Sequence, residues 1–284
     1  MPENLIFAHL TDLHIGNPEI VDPTLHSDTT ATLKAVLADL RRMEPPPAFA
    51  VVSGDLTNLG DAASYAILRR LFDEARLAMP VIFALGNHDR RDTFRAAFLG
   101  LAADEAPYDH DTVVAGLHVI VLDTLVPGRV GGTLAPAQLD WLAERLAAEP
   151  GTRKLIVMHH GPMLDLDEPA SAWECIGPEA TRRLAELLAS RTDVVGILSG
   201  HIHYDRVTLW HGIPIIVASG QHNAVDVLYL GRGLRSLAGA SFAIGTLRPS
   251  GLSVAFVQQP GDRHELDRME AASLRALDAG GEEG

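Results

Sequence analysis

A chain of 284 residues, 47% hydrophobic and 21% charged, has the makeup of an ordinary globular protein and can bury roughly three quarters of its unfolded surface. That composition excludes a disordered chain, a collagen-like repeat and a disulfide-stapled miniature fold. The net charge of 23 − 37 = −14 disfavours long-range attraction to nucleic acid polymers or anionic membranes. No apolar run reaches the roughly 18–20 residues a membrane span needs. The opening Met1-Pro2-Glu3-Asn4 carries no basic stretch and is not expected to act as a secretion signal. Cys175 is the one cysteine, so no intrachain disulfide forms and a reducing, cytoplasmic setting is expected.

In chain order, Leu5–Leu10 reads as a buried strand. Leu33, Val36, Leu37, Leu40 and Met43 recur at helical spacing, and Pro45-Pro46-Pro47 closes that helix. A strand over 49–53, a helix over 62–78 and a strand over 81–85 follow. Residues 113–122, broken at Ala115-Gly116, read as a hairpin. A helix over 136–148 opens with proline in its first turn and leads to a strand over 154–158. A helix over 178–190 then precedes a strand over 194–198. Beyond this point short strands dominate, expected at 206–210, 213–218, 225–230, 242–247 and 252–257. Alternating α/β units followed by antiparallel strands predict two sheets stacked face to face with helices outside. Residues 1–258 are expected to form this one domain. Residues 259–284 are expected to be a charged tail, with one amphipathic helix through Leu266, Met269 and Leu277.

The informative residues lie just after the predicted strands: Asp12-x-His14, Gly54-Asp55, Gly86-Asn87-His88-Asp89, His159-His160 and Gly200-His201-x-His203. In open α/β sheets ligands gather at the C-terminal ends of strands. In Asp-x-His and His-x-His an extended backbone turns both side chains to one side. Carboxylates and imidazoles buried together at a sheet edge are costly unless a cation satisfies them. The donor set is nitrogen and oxygen with no thiolate, which suits divalent manganese, iron, cobalt or zinc. His9, Asp22, His26, His110, His118, His211 and His264 fall in none of these clusters and are expected to be structural or surface residues.

In these five blocks and their order the chain resembles the calcineurin-like metallophosphoesterases. The Asn-His-Asp block, the His-His pair and the length resemble the bacterial class III cyclic nucleotide phosphodiesterases and glycerophosphodiesterases. The resemblance implies a four-layer α/β/β/α sandwich of two mixed sheets flanked by helices. It implies a first metal held by Asp12, His14 and His203, a second held by Asn87, His159 and His201, and Asp55 bridging the two. His88 would face the substrate as proton donor or transition-state stabiliser. Of the adjacent pair, His159 aligns best with the family ligand although Gly161 stands where proline is more usual, and His160 is expected beside it. Two divalent metals, manganese or iron foremost, would then direct a bridging hydroxide at a small phosphodiester: a 3′,5′- or 2′,3′-cyclic nucleotide or a glycerophosphodiester. Members of the family are often dimeric.

Substrate contacts are expected from Asn58, Arg90, His160 and His222, with Arg91 and Asn223 beside them. The same site offers two alternatives. One is a hydrolase of a larger substrate, such as a lipid A precursor of the UDP-diacylglucosamine type, which needs an apolar channel. The other is a non-enzymatic scaffold that has lost its metals.

Overall fold

The computed structural model describes residues 4–166, 173–259, 265–270 and Ser273. Strands β1 (Leu5–Leu10), β2 (Phe49–Val52) and β3 (Val81–Phe83) run parallel, with helix α1 (Thr29–Arg42) between the first two and α2 (Ala62–Ala75) between the second and third. A short helix α3 (Arg91–Thr93) continues into a π-helical turn over Phe94–Leu99. The hairpin β4 (His110–Val114) and β5 (Leu117–Leu122) follows, then α4 (Pro136–Ala147), β6 (Arg153–Met158), α5 (Pro178–Leu188) and β7 (Val194–Ser199). The chain closes with β8 (Arg206–Trp210), β9 (Ile213–Val217), β10 (Ala224–Val225), β11 (Gly233–Leu237), β12 (Ala240–Arg248), β13 (Gly251–Gln259) and β14 (Glu265–Glu270).

Two mixed sheets result, in the orders β13-β12-β1-β2-β3 and β4-β5-β6-β7-β9-β8, beside a small sheet β10-β11-β14. The period-two alternation of each central strand divides its side chains between two cores. Leu5 and Phe7 of β1, Phe49 and Val51 of β2, Val119 and Val121 of β5, and Leu155 and Val157 of β6 fill the space between the sheets. Ala8, Leu10, Ala50 and Val52 face outward against Leu33, Leu37, Leu68 and Leu71 of α1 and α2. On the opposite side Ile120, Leu122, Ile156 and Met158 face Leu139, Leu142, Ala180 and Leu184 of α4 and α5. This is the four-layer α/β/β/α sandwich expected from the sequence.

Four local expectations are corrected. Helix α2 stops at Ala75 because Arg76 turns left-handed, at φ 46° and ψ 50°. Of the apolar run 225–230 only Val225 is in a strand, the two-residue β10. The Asp226 side chain accepts from the Leu228 amide and its carbonyl from Tyr229, so turn chemistry overrides the run. The strand β11 that follows is absent from the periodicity reading. In the tail, Leu266 and Met269 belong to β14, not to a helix, because antiparallel pairing with β11 claims the segment. There Arg235 and Arg268 flank the Tyr229 ring at 4.9 and 5.1 Å. Leu277 and His264 lie outside the described residues.

Arg91, expected near substrate, lines the same cleft as His88 and Arg90, but its guanidinium is committed to joining the two sheets. Its Nε donates to Asp123 Oδ2 at 2.7 Å and its Nη2 to Asp123 Oδ1 at 3.1 Å and the Leu125 carbonyl at 2.6 Å. Asp123 follows β5 and its side chain is 0% exposed. Removing the guanidinium leaves that carboxylate buried without its counter-charge; among the described residues only the Tyr108 and Leu125 amides still donate to it. Arg91→Ala is therefore expected to lower the unfolding free energy by about 3–5 kcal/mol, measured by chemical denaturation; a loss under about 1 kcal/mol would contradict this role.

Candidate metal centre

Loops leaving β1, β2, β3, β6 and β7 converge at one end of the sandwich. Backbone bonds stitch them together: Asp12 N–H donates to the Gly54 carbonyl, His14 to Asp55, Gly200 to His159 and Gln221 to Asp12, each at 3.0 Å. Asp12, His14, Asp55, His201 and His203 all adopt left-handed backbone conformations, with φ of 48°, 43°, 50°, 75° and 53°. Such residues are strained and persist only where the surroundings over-determine them. Gly54, at φ +113°, leaves no room for a side chain, since a Cβ there would lie 2.5 Å from His159 Nδ1.

The side chains so gathered are all electron-pair donors. Asp12 and Asp55 are 0–1% exposed. Asp12 accepts from Thr11 Oγ1 at 2.7 Å and from the His201 amide at 3.1 Å. The His88 amide occupies Asp55 Oδ1 at 2.9 Å, leaving Oδ2 turned toward His159 Nε2 at 3.2 Å and His14 Nε2 at 3.6 Å. His203 Nε2 stands 3.2 Å from Asp12 Oδ1 and 3.3 Å from His14 Nε2. Three groupings among the described residues have ligand atoms close enough to share a cation: Asp12, His14, Asp55 and His203, the overlapping set His14, His203 and His222, and next to them His159, His160 and His201.

The outward nitrogen of each imidazole fixes its tautomer. His14 Nδ1 meets Asn58 Oδ1 at 2.8 Å, His159 Nδ1 meets the Ser53 carbonyl at 3.0 Å, His201 Nε2 the Trp173 carbonyl at 2.7 Å, and His203 Nδ1 meets Asn223 Oδ1 at 2.9 Å. An oxygen of this kind only accepts, so each outward nitrogen carries the hydrogen and the inward one presents its lone pair. Asn87 Oδ1 and His159 Nε2 are buried without a hydrogen-bond partner. A dinuclear metal fits this donor set: it supplies the positive charge that two carboxylates, inward lone pairs and an orphaned amide oxygen all lack.

Electrostatics point the same way. Burial works against charge on His159, yet Asp55 and Asp12 hold its pKa up at about 9, so a proton on Nε2 and a metal ion compete for the same place beside the carboxylates. Burial alone would raise Asp12 and Asp55, but neighbouring histidines hold both below the usual carboxylate range. Burial, with His159 beside it, pushes His201 down to about 4. Asp89, pushed up to about 6 by burial and by Asp55, receives the amides of Leu56 and Gly86 and the Tyr65 hydroxyl, tying the second and third loops together.

The remaining sequence-expected residues divide. His88 is half-buried at the mouth, its Nδ1 donating to the Asn58 carbonyl at 2.8 Å. It lines a cleft of about 450 Å³ with Asn87, Arg90, Glu105, Leu125 and Pro127. Arg90 reaches Asp92 at 3.4 Å. His222 stands over the first grouping, its ring 4.9 Å from His14. His160 does not face the cleft: it is fully buried, Nε2 donates to the Val130 carbonyl at 2.9 Å, and Nδ1 accepts from Thr124 Oγ1 at 2.8 Å. Two residues set aside in the sequence belong to the site after all. Asp22 accepts from Asn58 Nδ2 at 2.6 Å and His26 stacks on His222 at 6.0 Å. Both sit in a loop without regular structure, and no strand-end motif marks them.

The profile of the calcineurin-like phosphoesterase family matches residues 5–205. A probable cyclic nucleotide phosphodiesterase of Rhodococcus erythropolis is 33% identical, over 96% of this chain and 92% of its own length. The cAMP/cGMP dual specificity phosphodiesterase of Mycobacterium tuberculosis is also 33% identical, over 83% of this chain and 73% of its own. Among solved structures, a dimetal phosphatase from Danio rerio shares the fold with a TM-score of 0.60 at 16% identity, covering 89% of this chain and 98% of that one.

The hydrogen bonds separate the two adjacent histidines. His159→Ala is expected to remove at least one equivalent of bound manganese. His160→Ala should retain two equivalents while losing about 2 kcal/mol or more of stability, because it abandons buried partners. Metal content by elemental mass spectrometry reads both; the opposite pattern would assign the ligand to His160.

Proposed function

Given that this chain belongs to the calcineurin-like phosphoesterase family, we propose that it hydrolyses small phosphodiesters: 3′,5′- or 2′,3′-cyclic nucleotides, or glycerophosphodiesters. The observation that carries this reading is the inward convergence of imidazole lone pairs, two buried carboxylates and the orphaned Asn87 oxygen. In this reading Asp12, His14 and His203 hold one divalent ion, Asn87, His159 and His201 the other, and Asp55 serves both. Manganese and iron suit the nitrogen and oxygen donors best, with zinc and cobalt as substitutes. When bound, two such ions supply Lewis-acid polarisation of the phosphoryl oxygens and make water acidic enough to attack at neutral pH.

The chain's own residues do the rest. The Asn58 carbonyl accepts from His88 Nδ1, which leaves Nε2 as the working nitrogen. In its protonated form Nε2 donates to the leaving oxygen as the P–O bond breaks. The cleft of about 450 Å³ beyond His88 lies within the size range of small-molecule sites, and Arg90 on its rim is the proposed contact for the part of the diester distal to the phosphate. His222, above His14, is proposed to line the opposite rim. The overall acidity and the names of the curated relatives favour a soluble small-molecule diester over a nucleic acid polymer. Among the described residues no helix is long and apolar enough to cross a membrane, and we place the reaction in the cytoplasm.

Manganese-loaded protein is expected to cleave bis(p-nitrophenyl) phosphate in strong preference to p-nitrophenyl phosphate, and to turn over at least one of 3′,5′- and 2′,3′-cyclic AMP. Preference for the monoester would contradict the diesterase reading. His88→Ala should lower kcat by about 10²–10⁴-fold with metal content unchanged, whereas Asp55→Ala should lose both metal and activity. Two retained metals and a near-normal rate in Asp55→Ala would overturn the site assignment.

A further inference from the structure

Asn58, expected at the substrate, has both atoms of its side-chain amide engaged by other residues. Its side chain is buried, 3% exposed as a residue, and both ends of the amide are taken. Oδ1 accepts from His14 Nδ1 at 2.8 Å, and Nδ2 donates to Asp22 Oδ2 at 2.6 Å. Its backbone carbonyl receives His88 Nδ1 at 2.8 Å, and its own amide donates to the Ile15 carbonyl at 3.1 Å. One residue therefore touches a proposed metal ligand with its side chain and the proposed acid with its backbone.

An amide can flip, and the two orientations are not equivalent here. With oxygen toward His14, the histidine carries its hydrogen on Nδ1 and turns the Nε2 lone pair to Asp12 and Asp55. With nitrogen toward His14, two donors would face each other, or the imidazole would switch tautomer and lose the inward lone pair. Asp22 decides between them, because a carboxylate can only accept from Nδ2. Its two oxygens divide the work. Oδ2 takes Asn58, while Oδ1 takes the Thr24 amide at 2.8 Å and the Thr24 hydroxyl at 2.7 Å, anchoring the carboxylate within its own turn.

We infer that Asp22 is a positioning residue for the first metal: through the Asn58 amide it holds His14 in the tautomer that turns Nε2 toward Asp12 and Asp55. This inference rests on the metal assignment proposed above. Partners of this kind behind a metal-bound histidine contribute roughly 10–100-fold to metal affinity, and Asp22, one bond further out, belongs at the lower end.

The test is manganese(II) affinity, measured by competition with a chelator of known strength, together with ¹⁵N spectra of the histidine rings in the zinc-loaded protein. Asp22→Ala should weaken one of two manganese ions by about 10-fold and disturb the His14 Nδ1–H signature. Thr24→Val keeps the link to Asn58 and should bind both ions as the parent does. The exchanged pair Asp22→Asn with Asn58→Asp reverses donor and acceptor only between positions 22 and 58, leaves His14 Nδ1 and Thr24 donating as before, and should restore both affinity and signature. Equal weakening by Asp22→Ala and Thr24→Val would show that Asp22 only shapes its loop, and no recovery in the exchanged pair would also overturn the inference. A parent protein that binds fewer than two manganese ions would overturn the metal assignment itself. Parent-like affinity in Asp22→Ala, with two ions bound, would sink only the role of Asp22.

Discussion

Every outer nitrogen in this site is spoken for. His14, His159, His201 and His203 each give their one neutral-state hydrogen to an oxygen behind them. With these imidazoles neutral, what remains facing inward is a set of acceptors walled in with two carboxylates. Buried acceptors facing one another are costly, and only positive charge relieves the cost. The strained backbone and the closely approaching loops at this end of the sandwich make sense as the means of holding that set together.

The holding is distributed over both sheets. Asp12 and Asp55 come from one sheet, His159, His201 and His203 from the other, and Asn223 from the loop before β10. Their relative placement depends on the apolar layer between the sheets, on Asp89 joining the second and third loops, and on the buried Arg91–Asp123 pair. Left-handed conformations at Asp12, His14, Asp55, His201 and His203 draw on that packing for support. The layers thus serve the chemistry directly: a shift between sheets moves half of the donors against the other half.

Much of this was legible in the sequence, for a physical reason. Buried strands announce themselves as apolar runs, and the polar residues that end them stand out by contrast, so the five blocks and the sandwich could be read together. What escaped was set by partners distant along the chain. Strand β14 forms because β11 is there to pair with it, and local spacing of Leu266 and Met269 suggested a helix instead. Asp22 and His26 lie in an irregular loop whose path no periodicity describes. Asn58 looked like a substrate contact because it follows Asp55 closely, and its actual neighbours, His14 and Asp22, come from 44 and 36 residues earlier in the chain. The choice between His159 and His160 likewise needed Ser53, Thr124 and Val130, none of which the motif contains.

The most direct test of the account is anomalous scattering from crystals of the manganese-loaded protein. Two peaks are expected, both beside Asp55 Oδ2, one next to His14 and His203 and one next to Asn87, His159 and His201, with His160 outside the coordination of either. A single peak, or a peak coordinated by His160, would contradict it.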